Sequence, residues 1–372
     1  MLLRKSSSRD RRDDAADAPS LPRIVVSSRV RLARNLQGER FPDWASGAER
    51  IELLQRIGPA AVQATGDDAA ALLAIADLDA RNRDLLVERW LISRDLAERV
   101  KGGGVVVARN GAVAVMINEE DHIRIQAITP GLNLAQSWRE ADAIDTRLDR
   151  LLAYSFSRRL GYLTACPSNI GTGMRASVMV HLPGLRLTGD IDPVIQGLER
   201  LRLTVRGIGG EGSAAAGHRY QISNQGTLGQ DEPAVIAALE RVAREVARQE
   251  ALARLRALRD SPLLFEDCLS RALALLQHAR LLQTEEALDY LSALRMGVEM
   301  GMVRGIAPDR LDELEMAVQP GHLQEFLHTD LDAEARDVRR AETLNEHLHD
   351  CEVDDRRIHA AAKRMATSRE KR

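Results

Sequence analysis

Aromatic residues make up only 3% of the 372-residue chain, too few to build the stacking platforms that single-stranded nucleic acid requires. Lysine is nearly absent: Lys5, Lys101, Lys363 and Lys371 are the only lysines among 52 basic residues. Codon bias in a GC-rich genome is the preferred explanation, given the abundant alanine, although arginine richness would also suit a protein that modifies arginines. A net charge of −3 supplies no basic excess for a nucleic-acid backbone. Cys166, Cys268 and Cys351 are widely spaced and form no Cys-x-x-Cys pair, which excludes a disulfide framework and a Cys-rich zinc site. No apolar run reaches membrane-spanning length, and Met1–Ser20 is charged where a signal peptide would be apolar. A cytoplasmic protein is expected, with neither membrane nor nucleic acid as partner.

The remaining composition, 44% hydrophobic and 29% charged, is that of a globular chain, and the length exceeds what one core usually serves. Two domains are therefore expected. Residues 1–20 read as a disordered leader. Arg23–Arg31 alternates as a strand, which puts Arg29 and Arg31 on one face. Ala48–Gly66 and Ala69–Ala76 read as helices, while Asn82–Glu98 mixes strand and helix signals and supports either. Val105–Ala108, Val113–Ile117 and Ile123–Ile128 read as strands, with Asn118–His122 a polar corner between the last two. Asn133–Leu160 has the pattern of one long amphipathic helix. Pro233–Leu258 is a further helix with an early proline. From Ser261 strand signals vanish, and Leu263–Gly297, Ala307–Val318 and Ala333–Leu348 read as helices. The expected division is a mixed domain over 21–260, a helical domain over 261–353, and a frayed tail over 354–372.

The chain is organised around Leu163–Pro183, a short apolar strand (Tyr162–Ala165), a Cys-Pro-Ser-Asn corner, a Gly-rich turn and Arg175. Gly171 and Gly173 allow backbone angles closed to other residues, so the turn could gather N–H groups and one guanidinium around a phosphate chain. It is not a Walker loop, since no Lys-Ser or Lys-Thr pair follows the glycines. Four more arginines, Arg29, Arg31, Arg124 and Arg206, sit beside small or Gly-rich backbone, and Glu120 and Glu211 occupy comparable corners. Arginine forks hold phosphate bidentately and keep their charge; together they could stabilise a transferring phosphoryl group, with the carboxylates orienting and deprotonating a nitrogen nucleophile. Each piece also has a plainer explanation. Arg29 and Arg31 suit a solvated strand face, Glu120 and Arg124 a surface ion pair, Arg206-Gly207 a turn, and Cys166 a small buried hydrophobe.

Taken in order, SSRVRLARN (Ser27–Asn35), NEEDHIRIQ (Asn118–Gln126), CPSNIGTGMRASVMVHLP (Cys166–Pro183) and QISNQGTLG (Gln221–Gly229) resemble the motif set of the phosphagen (guanidino) kinases. They resemble the bacterial protein-arginine kinases of that family more closely. The resemblance implies an α+β fold, an antiparallel β-sheet flanked by helices, followed by an all-α C-terminal domain, with Mg2+ and ATP as cofactor and donor. It implies catalytic roles for Glu120, Glu211 and Cys166. The implied nucleotide contacts are Ser27, Ser28, Arg29, Val30 and Arg31; Trp90; Arg124; Arg175, Ala176, Ser177, Val178 and Met179; and Arg206, Gly207, Ile208, Gly209, Gly210 and Glu211. No protein-held metal site is implied. Small-guanidine kinases carry their second glutamate three residues beyond Glu211, where this chain has Ala214. Trp90 stands in ERWLIS where the family usually has a histidine near the nucleotide, and Ser168 where threonine is usual.

Two features imply a protein substrate rather than a metabolite. The small-guanidine kinases have a helical domain before the SxRxR strand, whereas some twenty polar residues precede it here, so an open site is expected. RDVRRA (Arg336–Ala341) resembles the RDxxRA motif of protein-arginine kinases, which would make Arg336, Asp337 and Arg340 a regulatory phosphoarginine pocket; alone, it would read as an exposed helix with paired charges. The implied activity is phosphorylation of arginine residues exposed on proteins, marking them for degradation in a stress response. An AAA+ unfoldase, an activator protein and a heat-shock repressor are the implied partners, with homodimerisation through the helical domain. The alternatives are a kinase of a free guanidino compound and a catalytically silent phosphoarginine-binding adaptor.

Overall fold

The structure is a computed structural model that describes residues 23–207 and 215–370. Its centre is β1 (Val25–Arg34), whose alternation VVSSRVRLAR sends Val30 and Leu32 into a core and Arg29 and Arg31 to the opposite face. The first helix, α1 (Gly47–Thr65), begins at a capping box in which Ser46 and Glu49 satisfy each other's backbone N–H, and it ends at Gly66 with φ 63°. Residues expected as a helix over 69–76 form instead the edge strand β2 (Ala71–Ala74) and a single 3-10 turn. Pairing with the next strand outweighs the helix preference of Ala and Leu, because so short a run cannot offset the cost of helix nucleation. The ambiguous stretch resolves into two short helices, α2 (Ala80–Glu88) and α3 (Arg94–Glu98), broken at Trp90 with φ 61°.

Strands β3 (Gly104–Ala108), β4 (Val113–Ile117) and β5 (Ile123–Pro130) follow as an antiparallel meander, and then α4 (Leu134–Asp149). The helix expected to reach Leu160 stops at Asp149 because the chain turns back to bond β1's exit: Ser155 N donates to Asn35 O at 2.7 Å and Gln37 N to Ala153 O at 2.9 Å. The small hairpin β6 (Phe156–Ser157) and β7 (Gly161–Tyr162) takes up part of the remainder, so the expected strand over 162–165 shrinks to its first residue. Strand β8 (Met174–His181), helices α5 (Pro183–Leu187) and α6 (Ile191–Arg200), strands β9 (Leu203–Gly207) and β10 (Arg219–Asn224), and the long α7 (Glu232–Asp260) complete the first half.

Eight strands form one antiparallel sheet in the order β2-β3-β4-β5-β1-β8-β10-β9. Val30, Ile125, Ala176, Val178 and Ile222 on one face are fully buried against α1, α4 and α7. On the other face Val105, Ala114 and Met116 of β3 and β4 pack with Leu86, Leu91 and Leu96 in a smaller core, while β5, β1, β8, β10 and β9 present their polar residues.

Beyond Ser261 the chain is helical: α8 (Pro262–His278), α9 (Thr284–Glu299), then β11 (Val303–Arg304), α10 (Pro308–Ala317), α11 (Pro320–Leu327), α12 (Ala333–Leu348), β12 (Glu352–Val353) and α13 (Asp355–Glu370). These helices share a separate core around Phe265, Leu269, Leu291 and Leu344. The single helix expected over 263–297 is two, because Leu282 between them is tied by both backbone groups to α12: its N–H donates to Asp337 O at 3.1 Å and its carbonyl accepts from Arg340 at 2.6 Å. The tail expected to fray is helical through Glu370, since Ile358 is fully buried and Ala362 nearly so. No helix among the described residues is long and apolar enough to cross a membrane.

Candidate active site

Strand register assembles the arginines. On the polar face Arg31 lies opposite Arg175 of β8 and Gln126 of β5, Ala33 lies opposite Arg124 of β5, and Arg206 of β9 lies opposite Gln221 of β10. Residues two apart share a face, so Arg29, Arg31, Arg124, Arg175, Arg206 and Arg219 all stand on it, and all line one cavity of about 1070 Å³. Glu120, Cys166, Trp90, Met179 and Gly207 line it too. Ser27 and Ser177 belong to the same face. Ser28, Val30, Ala176 and Val178, expected at the nucleotide, point the other way and are fully buried. The two-residue period decides this: Ser28 instead donates to Gly131 O at 2.8 Å and accepts from Asn133 N at 2.9 Å. Ile208, Gly209, Gly210 and Glu211 lie outside the described residues.

Among the described residues, Arg29 and Arg175 at the centre of the cationic face bond neutral side chains. Arg29 donates to Gln221 Oε1 at 2.5 Å and sits 5.8 Å from the Trp90 ring centroid. Arg175 donates to Ser223 Oγ at 3.1 Å. The buried Arg31 Nε has no hydrogen-bond partner among the described residues. Burial first, then Arg175 and Arg124, pushes the Arg29 pKa down to about 10. Arg31 is lowered by burial and by Arg29 and its other arginine neighbours, and Arg175 by burial, Arg206 and Arg124. All stay charged at neutral pH, and a polyanion would satisfy what the protein leaves unsatisfied.

The Asn118–His122 corner owes each residue to a specific bond. Asn118 takes φ 56° and donates its amide to Arg50 O at 2.8 Å and Gly102 O at 2.7 Å. Arg124 bridges Glu119 at 2.5 Å and Glu120 at 2.8 Å. Glu119 is buried, whereas Glu120 is half-exposed to the cavity, and burial raises its pKa against the opposing pull of Arg124. Asp121 accepts from Asn35 Nδ2 at 2.6 Å and Ala165 N at 2.7 Å, which ties the exit of β1 to the segment before Cys166. His122 accepts at Nδ1 from Leu36 N at 3.1 Å, so its proton sits on Nε2, 2.8 Å from Arg40 O. Burial lowers its pKa and keeps it neutral.

The Gly-rich turn has a packing reason. At Gly173 (φ 64°) a Cβ would lie 2.6 Å from Ala33 O, and at Gly171 (φ 116°) one would lie 2.7 Å from Thr227 O. The glycines let the turn press onto β1 and onto Thr227, which in turn donates to Ile170 O at 2.6 Å. Cys166 Sγ is 3.0 Å from Ser168 Oγ. Gln126, Arg219, Gln221 and Ser223 were not singled out from sequence, although the alternation of β5 and β10 puts them on the arginine face. Gln126 is nearly fully buried and donates to Trp90 O at 2.6 Å, bracing the strained backbone there.

Residues 53–253 match the model of the ATP:guanido phosphotransferase C-terminal catalytic domain, and residues 262–359 match that of the protein-arginine kinase McsB C-terminal domain. A protein-arginine kinase of Syntrophomonas wolfei is 44% identical over 328 residues, 87% of this chain and 91% of that protein. One of Halalkalibacterium halodurans is 41% identical over 326 residues, 87% and 92% of the two chains. The chain belongs to the protein-arginine kinases of the ATP:guanido phosphotransferase family. Among solved structures, lombricine kinase superposes with a TM-score of 0.53 at 26% identity over 64% of this chain and 72% of that one. The substrate-free duplicated taurocyamine kinase from Schistosoma mansoni gives 0.54 at 26% identity, over 69% of this chain and 39% of that one. The protein is thus a phosphotransferase with ATP as its donor.

In this phosphotransferase the RDVRRA motif opens α12. Arg340 is fully buried: it donates to Val318 O at 2.8 Å, to Leu282 O at 2.6 Å and to Asp337 at 2.5 Å. Arg336, half-buried, donates to Leu331 O at 3.1 Å. Arg340 therefore ties α10, the α8–α9 connection and α12 together, while Arg336 and Asp337 retain partial exposure.

Proposed function

We propose that this protein transfers the γ-phosphoryl group of ATP to guanidinium nitrogens of arginine residues in other proteins. The observation that carries the reading is the position of Glu120, which lines both the arginine cavity and a second cavity of about 780 Å³ formed with Asp43, Arg50 and Asp95. A donor bound among the arginines and an acceptor entering through the second cavity meet at this carboxylate. Free guanidinium is a poor nucleophile, being protonated and delocalised. Glu120 holds it by paired N–H donors and accepts one proton as the N–P bond forms. The bond from phosphorus to the bridging oxygen breaks, and its electron pair leaves with ADP. Arg31, Arg124 and Arg175 stabilise charge on the transferring group from positions fixed before the reaction starts. Glu211 is the proposed second carboxylate, and Cys166 tunes the acceptor end without a covalent step.

Among the described residues no group of three or more His, Cys, Asp or Glu side chains converges to hold a metal. Mg2+ enters the proposal as the counter-ion carried by the nucleotide phosphates. The three cysteines are free thiols, which supports a cytoplasmic setting. The test is incubation with Mg-ATP and a casein-like protein, followed by analysis for acid-labile phosphate. Phosphoarginine that disappears in Glu120→Ala supports the proposal. Labelling of free arginine alone identifies a metabolite kinase, and phosphoarginine binding without labelling identifies an adaptor.

A further inference from the structure

We infer that the C-terminal helical region completes the nucleotide site, with the α10–α11 junction forming the wall of the base pocket opposite Trp90. This rests on the phosphotransfer reading above, which fixes the direction of the nucleotide. Its γ-phosphate lies at the Glu120 end, beside Arg124 and the Ala33 row of β1. Moving along β1 away from that end, the rows are Arg31 with Arg175, Arg29 with Ser177, and Ser27 with Met179 and Gln221. Three steps of two residues span about 20 Å. The base therefore falls beyond Arg29, where the Trp90 ring and Met179 line the cavity.

At that end the cavity is closed by Met316, Gln319 and Pro320, all half-buried. Met316 offers an adaptable apolar surface, and the Gln319 amide both donates and accepts, as a residue that reads a base edge must. The wall is fastened on both sides, to the end of α2 and to the sheet. Glu88, two residues before Trp90, accepts from Gly321 N at 2.7 Å, His322 N at 3.0 Å and His322 Nδ1 at 2.6 Å, so its carboxylate grips the first turn of α11. A Cβ on Gly321 would sit only 3.0 Å from Glu88 Oε2, so a glycine permits the grip. On the other side Arg219, last of the arginine face, is ion-paired with Glu315 of α10, which also accepts from Arg295 Nε at 2.9 Å. Trp90 and the α10–α11 wall are thus held at a set spacing, and Glu88 is the positioning residue that sets it.

The test is calorimetric titration of the intact protein with Mg-ADP and Mg-GDP, comparing wild type with Met316→Ala, Gln319→Ala and Glu88→Gln. Met316→Ala should weaken Mg-ADP binding about tenfold, the equivalent of part of a buried methionine side chain. Gln319→Ala should narrow the preference for ADP over GDP. Glu88→Gln should weaken both nucleotides and shift the tryptophan fluorescence change on binding, while the exposed Arg271→Ala on α8 should match wild type. The arginine acceptor KM should not move in any of them. Should ADP affinity and the ADP-to-GDP ratio of all three stay within about twofold of wild type, with folding intact, the helical wall is not part of the pocket. Binding is the readout, so a wild type that transfers nothing to arginine sinks the phosphotransfer reading while the titrations still decide the wall.

Discussion

Replacing Arg31 by methionine should stabilise the nucleotide-free protein and sharply slow its turnover. The guanidinium is surrounded by Arg29, Arg124 and Arg175, its Nε lacks a partner among the described residues, and Glu119 opposes the repulsion. Its neighbour Arg29 gives the scale. A pKa pushed from 12.5 to about 10 is equivalent to about 3 kcal/mol at 1.36 kcal/mol per pH unit. Both arginines lie on the floor of an open cavity, whose water screens the repulsion, so a gain of about 1–3 kcal/mol is expected for Arg31→Met. For a chain of 372 residues that corresponds to a rise of roughly 1–4 °C in Tm by scanning calorimetry. Turnover should drop about 10²–10³-fold, the cost of removing one fixed donor to developing charge. A saturating nucleotide at a hundred times its Kd stabilises wild type by about 2.7 kcal/mol, and the variant should forfeit most of this. A lowered Tm in the variant without nucleotide would refute the view of the cluster as a strained anion receptor.

Three further outcomes are expected. Glu120→Gln should lose about 10²–10⁴-fold in kcat while keeping Mg-ADP affinity, and in wild type the acid limb of kcat/KM should lie above a free glutamate's pKa, because burial raises that of Glu120; a limb at or below it removes Glu120 as the base. His122, His181 and His218 are kept neutral mainly by burial, their pKa values lowered below 6.5; below about pH 6.5 the unfolded chain therefore binds protons that the folded one does not, and stability falls with pH by up to about 1.4 kcal/mol per unit per histidine, so a Tm that is flat from pH 7 to pH 5 contradicts it. Gly173→Ala, whose Cβ would meet Ala33 O and Arg34 Nη1 at 2.6 Å, should cost about 2–4 kcal/mol, read as a lower denaturation midpoint with unchanged slope.

Chain order and chemistry were legible where a residue's role is local. The two-residue alternation of Arg23–Arg31 put Arg29 and Arg31 on one face, and the Asn118–His122 corner appeared as a polar turn. Local pattern failed where a distant segment supplied the hydrogen bonds. Residues 69–76 became a strand because β3 was there to pair with them, and the helix after Asn133 ended early because β1 offered Ser155 and Ala153 their partners. The same alternation, applied consistently, turns the side chains of Ser28, Val30, Ala176 and Val178 away from the arginine face and puts Gln126 and Gln221 on it.

By itself the sequence determined the identity and spacing of the charged groups, since an arginine fork, a carboxylate and a turn glycine carry their chemistry wherever they stand. Only the tertiary structure decided that β1, β5, β8, β9 and β10 lie side by side, so that arginines from five separate stretches share one cavity. It alone decided that Glu88 grips α11, more than two hundred residues later, and that Arg340 is buried in its own scaffold. Such contacts depend on which surfaces the two cores bring together, and no local spacing encodes that.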